Sequence, residues 1–406
     1  RHQKKIDSPA AVLLTNIVLA VLIFFILMSD WILSIGLMIL FIAGALILDQ
    51  NGIINMIFDA YNHHKPIAIL SGIVLVIMLP FSLTGNNYIS HIATVAVCYA
   101  IACLGLNFQM GSTDMTNFAP AAFMGLGAYS VAVCTTKFGL SPWFGMVLGV
   151  LITGIFGYLI GLPTLKTKGY YLSLVTMAIQ IAFTQLIYTI DYLGGSDGIS
   201  GVTKYSIFGF KLYKKYTMFG IKLAPQIPFL VVCIFFLIIC AYIAIRVYHS
   251  KQGLALNAIA QDEIAANCLG INIASQKLFA FVIGSIFCGL AGSLLVGLEG
   301  YVGPDSYDFS KSLMLICMVI LGGMDNSIGI IVGAFILTII SEKLRDFADY
   351  QQLVYSLVLV IMLIIRPNGI IPRRVRKYFN TFRSSPLTKT IEAEKAQVID
   401  FLKQNK

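Results

Sequence analysis

The feature that most constrains this chain is its succession of long apolar runs, each bounded by a few polar residues. Runs able to cross about 30 Å of hydrocarbon lie near 10–28, 31–48, 67–83, 88–108, 119–135, 141–162, 170–190, 228–248, 277–298, 326–341 and 352–365. A shorter run, 308–322, reads as a half-span. With 58% hydrophobic and 12% charged residues, the 406-residue chain lies outside the range of soluble globular domains. The expected fold class is all-α and polytopic, with about 11–12 hydrophobic segments including broken or half helices.

Net charge is +9, and its placement matters more than its sum. Lys4 and Lys5, Lys65, Lys166 and Lys168, Lys251 and Lys277, and the run Arg366, Arg373, Arg374, Arg376 and Lys377 recur at alternate ends of successive spans. The positive-inside rule then predicts that both termini and the 253–270 loop are cytoplasmic. The 191–227 loop, placed outside, goes against this with Lys204, Lys211, Lys214, Lys215 and Lys222. The basic cluster that follows a span reads as a lipid headgroup anchor, not a nucleic-acid patch. Cys98, Cys103, Cys134, Cys233, Cys240, Cys268, Cys288 and Cys317 form no CxxC pair and read as small hydrophobes. His63 and His64 are adjacent, so their side chains point apart on a helix and no metal site is expected. The run 10–28 lacks a small-residue cleavage site and is read as retained; residues 1–66 are expected to be a peripheral scaffold hairpin, and 373–406 a cytoplasmic basic tail.

Two stretches break the rules of a plain span. In GLNFQMGSTDMTNFAPAAFMGLGAY, 105–129, Gly111, Pro120, Gly125 and Gly127 are predicted to interrupt the helix, among Ser112, Thr113, Asp114, Thr116 and Asn117. Non-helical backbone at membrane depth survives only when buried in protein or lining a wet cavity, where it presents dipoles to a polar solute. The alternative is a cytoplasmic loop followed by a helix starting at Asn117, with Pro120 in its first turn. The second stretch, YVGPDSYDFSKS (301–312) with LGGMDNSIGIIVGA (321–334), brackets the half-span; Asp308-Phe309 echoes Asn117-Phe118 as a faint internal repeat. Gln180 and Gln185, costly in lipid, are expected to face protein or a cavity. The candidate solute pathway is therefore Ser112, Thr113, Asp114, Asn117, Gln180, Asp308 and Asn326. The glycine-rich GGSDGISGV, 194–202, suits a flexible turn or the docking of an external partner, and 205–224 alternates like a β-hairpin.

Between the runs 228–248 and 277–298 lies GLALNAIAQDEIAANCLG, 253–270, rich in helix formers and without an internal breaker. Asn257, Gln261, Asp262, Glu263 and Asn267 fall all round a helix axis, which does not suit lying flat on lipid. Such a helix suits being gripped by another protein; an ordinary solvated connection is the other reading.

No nucleophile and base, and no set of metal ligands, stand at matched depth, and no GxxxxGK[ST] loop is present, so no enzyme is expected. The acids nearest to membrane depth are Asp114, Asp308 and Asp325, none isolated at a midplane as an ion-coupled carrier would want. A transporter energised from outside the chain, through the 253–270 helix, fits best, with a secondary transporter or channel as the alternative.

The motifs AAFMGLGAY (121–129), TKGYYLSLVTMA (167–178), GGSDGISGV (194–202), DEIAANCLGIN (262–272), KLFAFVIGSIFCGLAGSL (277–294), SLMLICMVILGGMDNSIGIIVGA (312–334), SEKLR (341–345) and IIRPNGIIP (364–372), in this order, resemble the LivM-type permease of branched-chain amino-acid ABC transporters. The resemblance implies a permease domain over 67–372 whose coupling helix, 253–270, docks on an ATPase through Gly253, Asp262, Glu263, Ala265, Ala266 and Gly270. It further implies a bacterial plasma membrane location, two ATPase subunits, a homologous permease and an extracytoplasmic binding protein. ATP is used by the partners, and this chain binds no cofactor. Departures fall at Leu254, Asn257 and Ala260, where arginines are usual, at Asn117 to Pro120 in place of Ser-Leu-Gly-His, at Asp325 in place of a glycine, and at Glu263, one place early. Related permeases move urea, short amides or nucleosides, which stay open as substrates.

Overall fold

The computed structural model describes residues 87–164, 170–207, 210–213, 217–218, 221–222 and 224–343, with isolated positions at 44 and between 353 and 370. The expected runs 10–28, 31–48 and 67–83, the histidine pair and the basic tail lie outside them.

The described chain is built of helices in the order α1 (Asn87–Thr113), α2 (Pro120–Thr136), α3 (Pro142–Thr164), α4 (Tyr170–Thr189), α5 (Ile227–Tyr248), α6 (Lys251–Gln261), α7 (Glu263–Cys268), α8 (Ile273–Glu299), α9 (Phe309–Gly322) and α10 (Ser327–Lys343). Among the described residues, α1, α3, α4, α5 and α8 are each long and apolar enough to cross a membrane, while α2 and α10 are shorter. The boundaries follow local chemistry. Pro120 and Pro228 stand in first turns, where a missing N–H costs nothing. Asn272 caps α8 through the Ser275 amide, 3.1 Å away, and Gly300 ends it in a left-handed conformation at φ 71°.

Helix α8 is the centre of the bundle, packing against α1, α2 and α3. Without a hydrophobic difference between lipid and side chain, helices associate by close backbone approach, which small residues permit. A Cβ on Gly105 of α1 would lie 2.7 Å from the Gly284 carbonyl oxygen, and one on Gly127 of α2 would lie 2.8 Å from the Gly289 Cα. The α1 segment is almost wholly enclosed, whereas α3 and α4 are mostly exposed. On α3, Phe144, Val147, Leu151, Ile155 and Leu159 make one outward apolar stripe, as a lipid-facing surface requires.

Short strands decorate one end of the bundle. The pair β1 (Ile199–Ser200) and β6 (Tyr301–Val302) is antiparallel, and seats the glycine-rich 194–202 turn against the C-terminal end of α8. In place of the single expected hairpin over 205–224 there are two consecutive ladders, β2 (Ser206–Ile207) with β3 (Phe210–Lys211) and β4 (Thr217–Met218) with β5 (Ile221–Lys222). Docking of the segment is aromatic: Tyr205 donates to the Ser293 carbonyl at 2.8 Å and Tyr213 to that of Gly297 at 2.9 Å. Lys204 places its ammonium 4.3 Å from the centre of the Tyr213 ring. This lysine-bearing loop and the α6–α7 segment therefore sit at opposite ends of α8.

Three local expectations need correction. First, α1 continues through Gly111, Ser112 and Thr113, and Gly125 and Gly127 lie inside α2; only residues 114–119 leave the helix. These glycines permit contact instead of breaking the helix: a Cβ on Gly111 would meet the Asp325 backbone at 2.5 Å. Secondly, that non-helical stretch is no solvated loop, since Met115 and Asn117 are buried. Thirdly, 253–270 is two helices. Asp262 adopts an extended conformation, and its carboxylate accepts from the amides of Ile264 (2.8 Å) and Ala265 (3.0 Å), ending α6 and starting α7.

Candidate functional site

Both broken segments turn on an aspartate in the left-handed region, Asp114 at φ 54° and Asp325 at φ 69°, where L-residues other than Asn and Asp are strained. The two breaks touch. The Ser112 hydroxyl donates to Asp325 Oδ1 at 3.0 Å, and the Asp325 amide donates to Asn107 Oδ1 at 2.8 Å. Asn326, next in the chain, folds back on its own helix start, its Oδ1 accepting from the amides of Ile328 and Gly329. Thr113 bonds to the Gln109 carbonyl at 2.7 Å within its own helix. Asp114 is exposed.

Within the 114–119 break, side chains meet the Phe118 and Ala119 amides and the Thr116 carbonyl, while the Met115 amide donates to the Gln109 carbonyl at 2.9 Å. Asn117 accepts from the Ala119 amide at 2.8 Å and donates to Gln109 Oε1 at 2.7 Å. The Phe118 amide donates to the Thr176 hydroxyl at 3.0 Å, and Ser173 donates to the Thr116 carbonyl at 3.2 Å. Helix α4 thus supplies two of the partners, Thr176 and Ser173, that an unbroken helix would have supplied from within. This is the condition for non-helical backbone inside a membrane protein.

A second cluster is centred on Gln180, fully buried midway along α4. Its Oε1 accepts from the Ala122 amide at 2.7 Å and from the Ser312 hydroxyl at 2.9 Å, while its amide donates to the Tyr307 carbonyl at 2.8 Å. Ser312 Oγ also accepts from the Ala121 amide at 3.1 Å. One glutamine therefore binds together the N-terminal turns of two shorter helices, α2 and α9, where the positive ends of their dipoles lie. Asp308 caps α9, accepting from the Lys311 amide at 2.9 Å, and Lys311 reaches the Tyr99 hydroxyl at 2.9 Å. At 14 residues, α9 is about 21 Å long, a half-span as the sequence predicts. The rings of Phe118 and Phe309, the two residues of the faint repeat, lie 6.2 Å apart, so the repeat brings its own members together.

The proposed pathway residues therefore fall into two groups, Ser112 and Asn326 around Asp325, and Gln180 beside Asp308; Asn117 bonds to Gln109 apart from both, Thr113 is turned inward on α1, and Asp114 is exposed. Asn107, Gln109, Thr176 and Ser312 belong to the same network and were not singled out from the sequence. The spacing of Asn107 and Gln109 within an apolar run was the available signal.

The α6–α7 segment stands apart from this network. Ile264 and Leu269 are each 79% exposed, while Ala266 is 2% exposed and packs inward. Of the expected contact residues, Asp262 is a helix cap, Glu263 forms an ion pair with Lys277 of α8, and Gly253 lies in the first turn of α6, behind the Ser250 cap. Gly270 ends α7 at φ 80° with open space where a Cβ would stand. The outward apolar side chains, Ile264 and Leu269, are the ones sequence reading passed over. An apolar residue on a polar helix beyond the lipid was their signal.

Residues 88–366 match the family described as branched-chain amino acid transport system permease component. The chain is 31% identical over 327 residues to the high-affinity branched-chain amino acid transport system permease protein LivM of Salmonella typhimurium, covering 77% of this chain and 76% of that protein. It is 31% identical over 313 residues to LivM of Escherichia coli, covering 74% and 73%. It is also 25% identical to a probable branched-chain amino acid transport permease protein LivH of Methanocaldococcus jannaschii, covering 66% and 87%. No solved structure matches the chain.

Proposed function

Because the chain belongs to the permease family of branched-chain amino-acid transport systems, we propose that it carries branched-chain or similarly apolar amino acids across the plasma membrane as one subunit of an ABC importer. The observation that supports the coupling part of this reading is the α6–α7 segment, a polar helix pair beyond the spans that points Ile264 and Leu269 outward. Those two side chains suit a cleft on an ATPase subunit, with Gly253, Asp262, Glu263, Ala265, Ala266 and Gly270 shaping and holding the pair behind them. In this reading the α6–α7 end of the bundle, with both chain termini, faces the cytoplasm. The β1–β6 and aromatic end faces the binding protein. Two ATPase subunits and a homologous second permease complete the complex, and ATP is bound and hydrolysed by the ATPases alone.

The pathway follows the two breaks. Ser112, Asn117 and Gln180 bond to other side chains and to backbone, with Asp114, Asp308 and Asn326 at the edges. A solute that exchanges contacts with such pairs replaces one hydrogen bond by another, so passage needs no net loss of bonding. The apolar surface needed by an aliphatic side chain is at hand in Phe118 and Phe309. ATP shifts the balance between outward- and inward-open states only through its different affinity for the two, so the permease need hold its solute only weakly.

The test is purification of the chain from its native membrane, followed by uptake in proteoliposomes. Retention of an ATPase and a second permease, with leucine uptake that needs both ATP and a binding protein, is the expected result. Uptake of urea or a nucleoside instead would replace the substrate. Recovery of the chain alone, moving solute down an ion gradient, would overturn the importer reading.

A further inference from the structure

Asn107 and Gln109, two buried amide side chains of α1, each link one arm of the α6–α7 segment to one of the breaks. On the first route, Asn107 Nδ2 donates to the Tyr248 hydroxyl at 2.5 Å, and its Oδ1 accepts from the Asp325 amide. Tyr248 is the last residue of α5, directly before α6: Ser250 donates to the Val247 carbonyl at 2.6 Å, and a Cβ on Gly253 would stand 2.5 Å from that same oxygen. Its ring stacks on Phe108, centroids 4.7 Å apart, so the hydroxyl cannot swing away without unstacking. On the second route, the Gln109 amide donates to the Phe281 carbonyl at 3.0 Å, and its Oε1 accepts from Asn117 beside the start of α2. Phe281 lies one helical turn beyond Lys277, which forms the ion pair with Glu263 of α7.

A displacement of α6 thus reaches Asp325 through Tyr248 and Asn107, and a displacement of α7 reaches Asn117 through Lys277, Phe281 and Gln109. Apart from the Lys277–Glu263 ion pair, in which Glu263 is exposed, these bonds join buried groups, where an orphaned polar group has no water to turn to, so the buried partners move together or exchange as a set. We propose that Asn107, Gln109 and Tyr248 are the positioning residues that tie the α6–α7 segment to both broken helices. The inference rests on the coupling role given above to that segment. Contiguous chains of hydrogen bonds and packed side chains are one means by which two sites bias a shared two-state element.

The experiment uses the whole complex in proteoliposomes with its binding protein, and reads leucine moved per ATP hydrolysed. Tyr248→Phe removes one hydroxyl and keeps the ring stack; Gln109→Met keeps the length of the side chain and removes its polar end. Both variants are expected to retain the ATPase subunits and hydrolyse ATP, with leucine moved per ATP reduced about 5- to 150-fold. A Tyr248→Phe/Asn107→Leu double variant is expected to be no worse than the poorer single one. An unchanged ratio in both single variants would overturn the relay while leaving the importer reading intact. Loss of the ATPase subunits from both, with a lowered unfolding midpoint, would make the bonds purely structural and overturn it too. A wild-type chain that holds no ATPase at all would instead remove the coupling assignment beneath it.

Discussion

Ser112, near the end of α1, donates its hydroxyl proton to Asp325 at 3.0 Å, although 213 residues separate the two in the chain. Both are buried, and Asp325 is held in the left-handed conformation by the turn between α9 and α10. The bond joins one broken helix to the other. Its removal reports on whether the two breaks act as one unit.

Asp325→Ala is expected to lower stability by roughly 1–3 kcal/mol, since the Ser112 hydroxyl loses a buried acceptor and alanine tolerates the left-handed backbone less well than aspartate. Ser112→Ala is expected to cost less, and the double variant less than the two together. A double-mutant cycle of thermal midpoints in detergent checks this; strict additivity would show that the two side chains do not cooperate.

Gln180 satisfies three partners, so its replacements should grade by what they keep. Gln180→Leu orphans the Ala122 amide, the Ser312 hydroxyl and the Tyr307 carbonyl at about 1–3 kcal/mol for each group, enough to abolish folded protein. Gln180→Glu keeps the acceptor and loses the donor, and should fall between Gln180→Leu and the parent chain. Fluorescence-detected size exclusion ranks the three; equal recovery would deny the glutamine its bracing role.

Helix contact predicts a contrast between two glycines. In Gly127→Ala the new methyl meets backbone, 2.7 Å from the Gly289 carbonyl carbon, and overpacking of about 1–3 kcal/mol or more has no side chain to absorb it. In Gly154→Ala the neighbour is the flexible side chain of Ile286 at 3.3 Å. The first variant should lose its monodisperse peak and the second keep it.

For the α6–α7 segment, Ile264→Asp and Leu269→Asp should leave the stability within about 0.5 kcal/mol of the parent, as exposed substitutions do, yet release the ATPase subunits. Ala266→Trp, placed in a buried position, should instead lower the midpoint first. Co-purification and thermal unfolding of the same samples separate the two effects. ATPase retention by both aspartate variants would move the docking surface elsewhere.

The sequence by itself determined the class of fold and most of the spans. Apolar runs of sufficient length can only be membrane helices, and α3, α4, α5 and α8 fall within a few residues of the runs expected for them. It also flagged 105–129 and 301–334 as candidate breaks, from polar residues with Gly and Pro in apolar runs, with a cytoplasmic loop as the other reading of the first; the packed structure confines that break to 114–119. Tertiary structure alone decided which glycines break a helix and which let helices meet. Gly111 and Gly127 look like breakers in sequence, but they are contact points on α1 and α2, since the backbone that fills their missing Cβ comes from Asp325 and Gly289, far along the chain. Likewise Asn107, Gln109 and Gln180 are merely costly residues in an apolar run until their partners are known. A buried polar side chain takes its role from the group that satisfies it, and those groups, Tyr248, Phe281, Ala122 and Tyr307, come from other helices that only the packed bundle brings within hydrogen-bond reach.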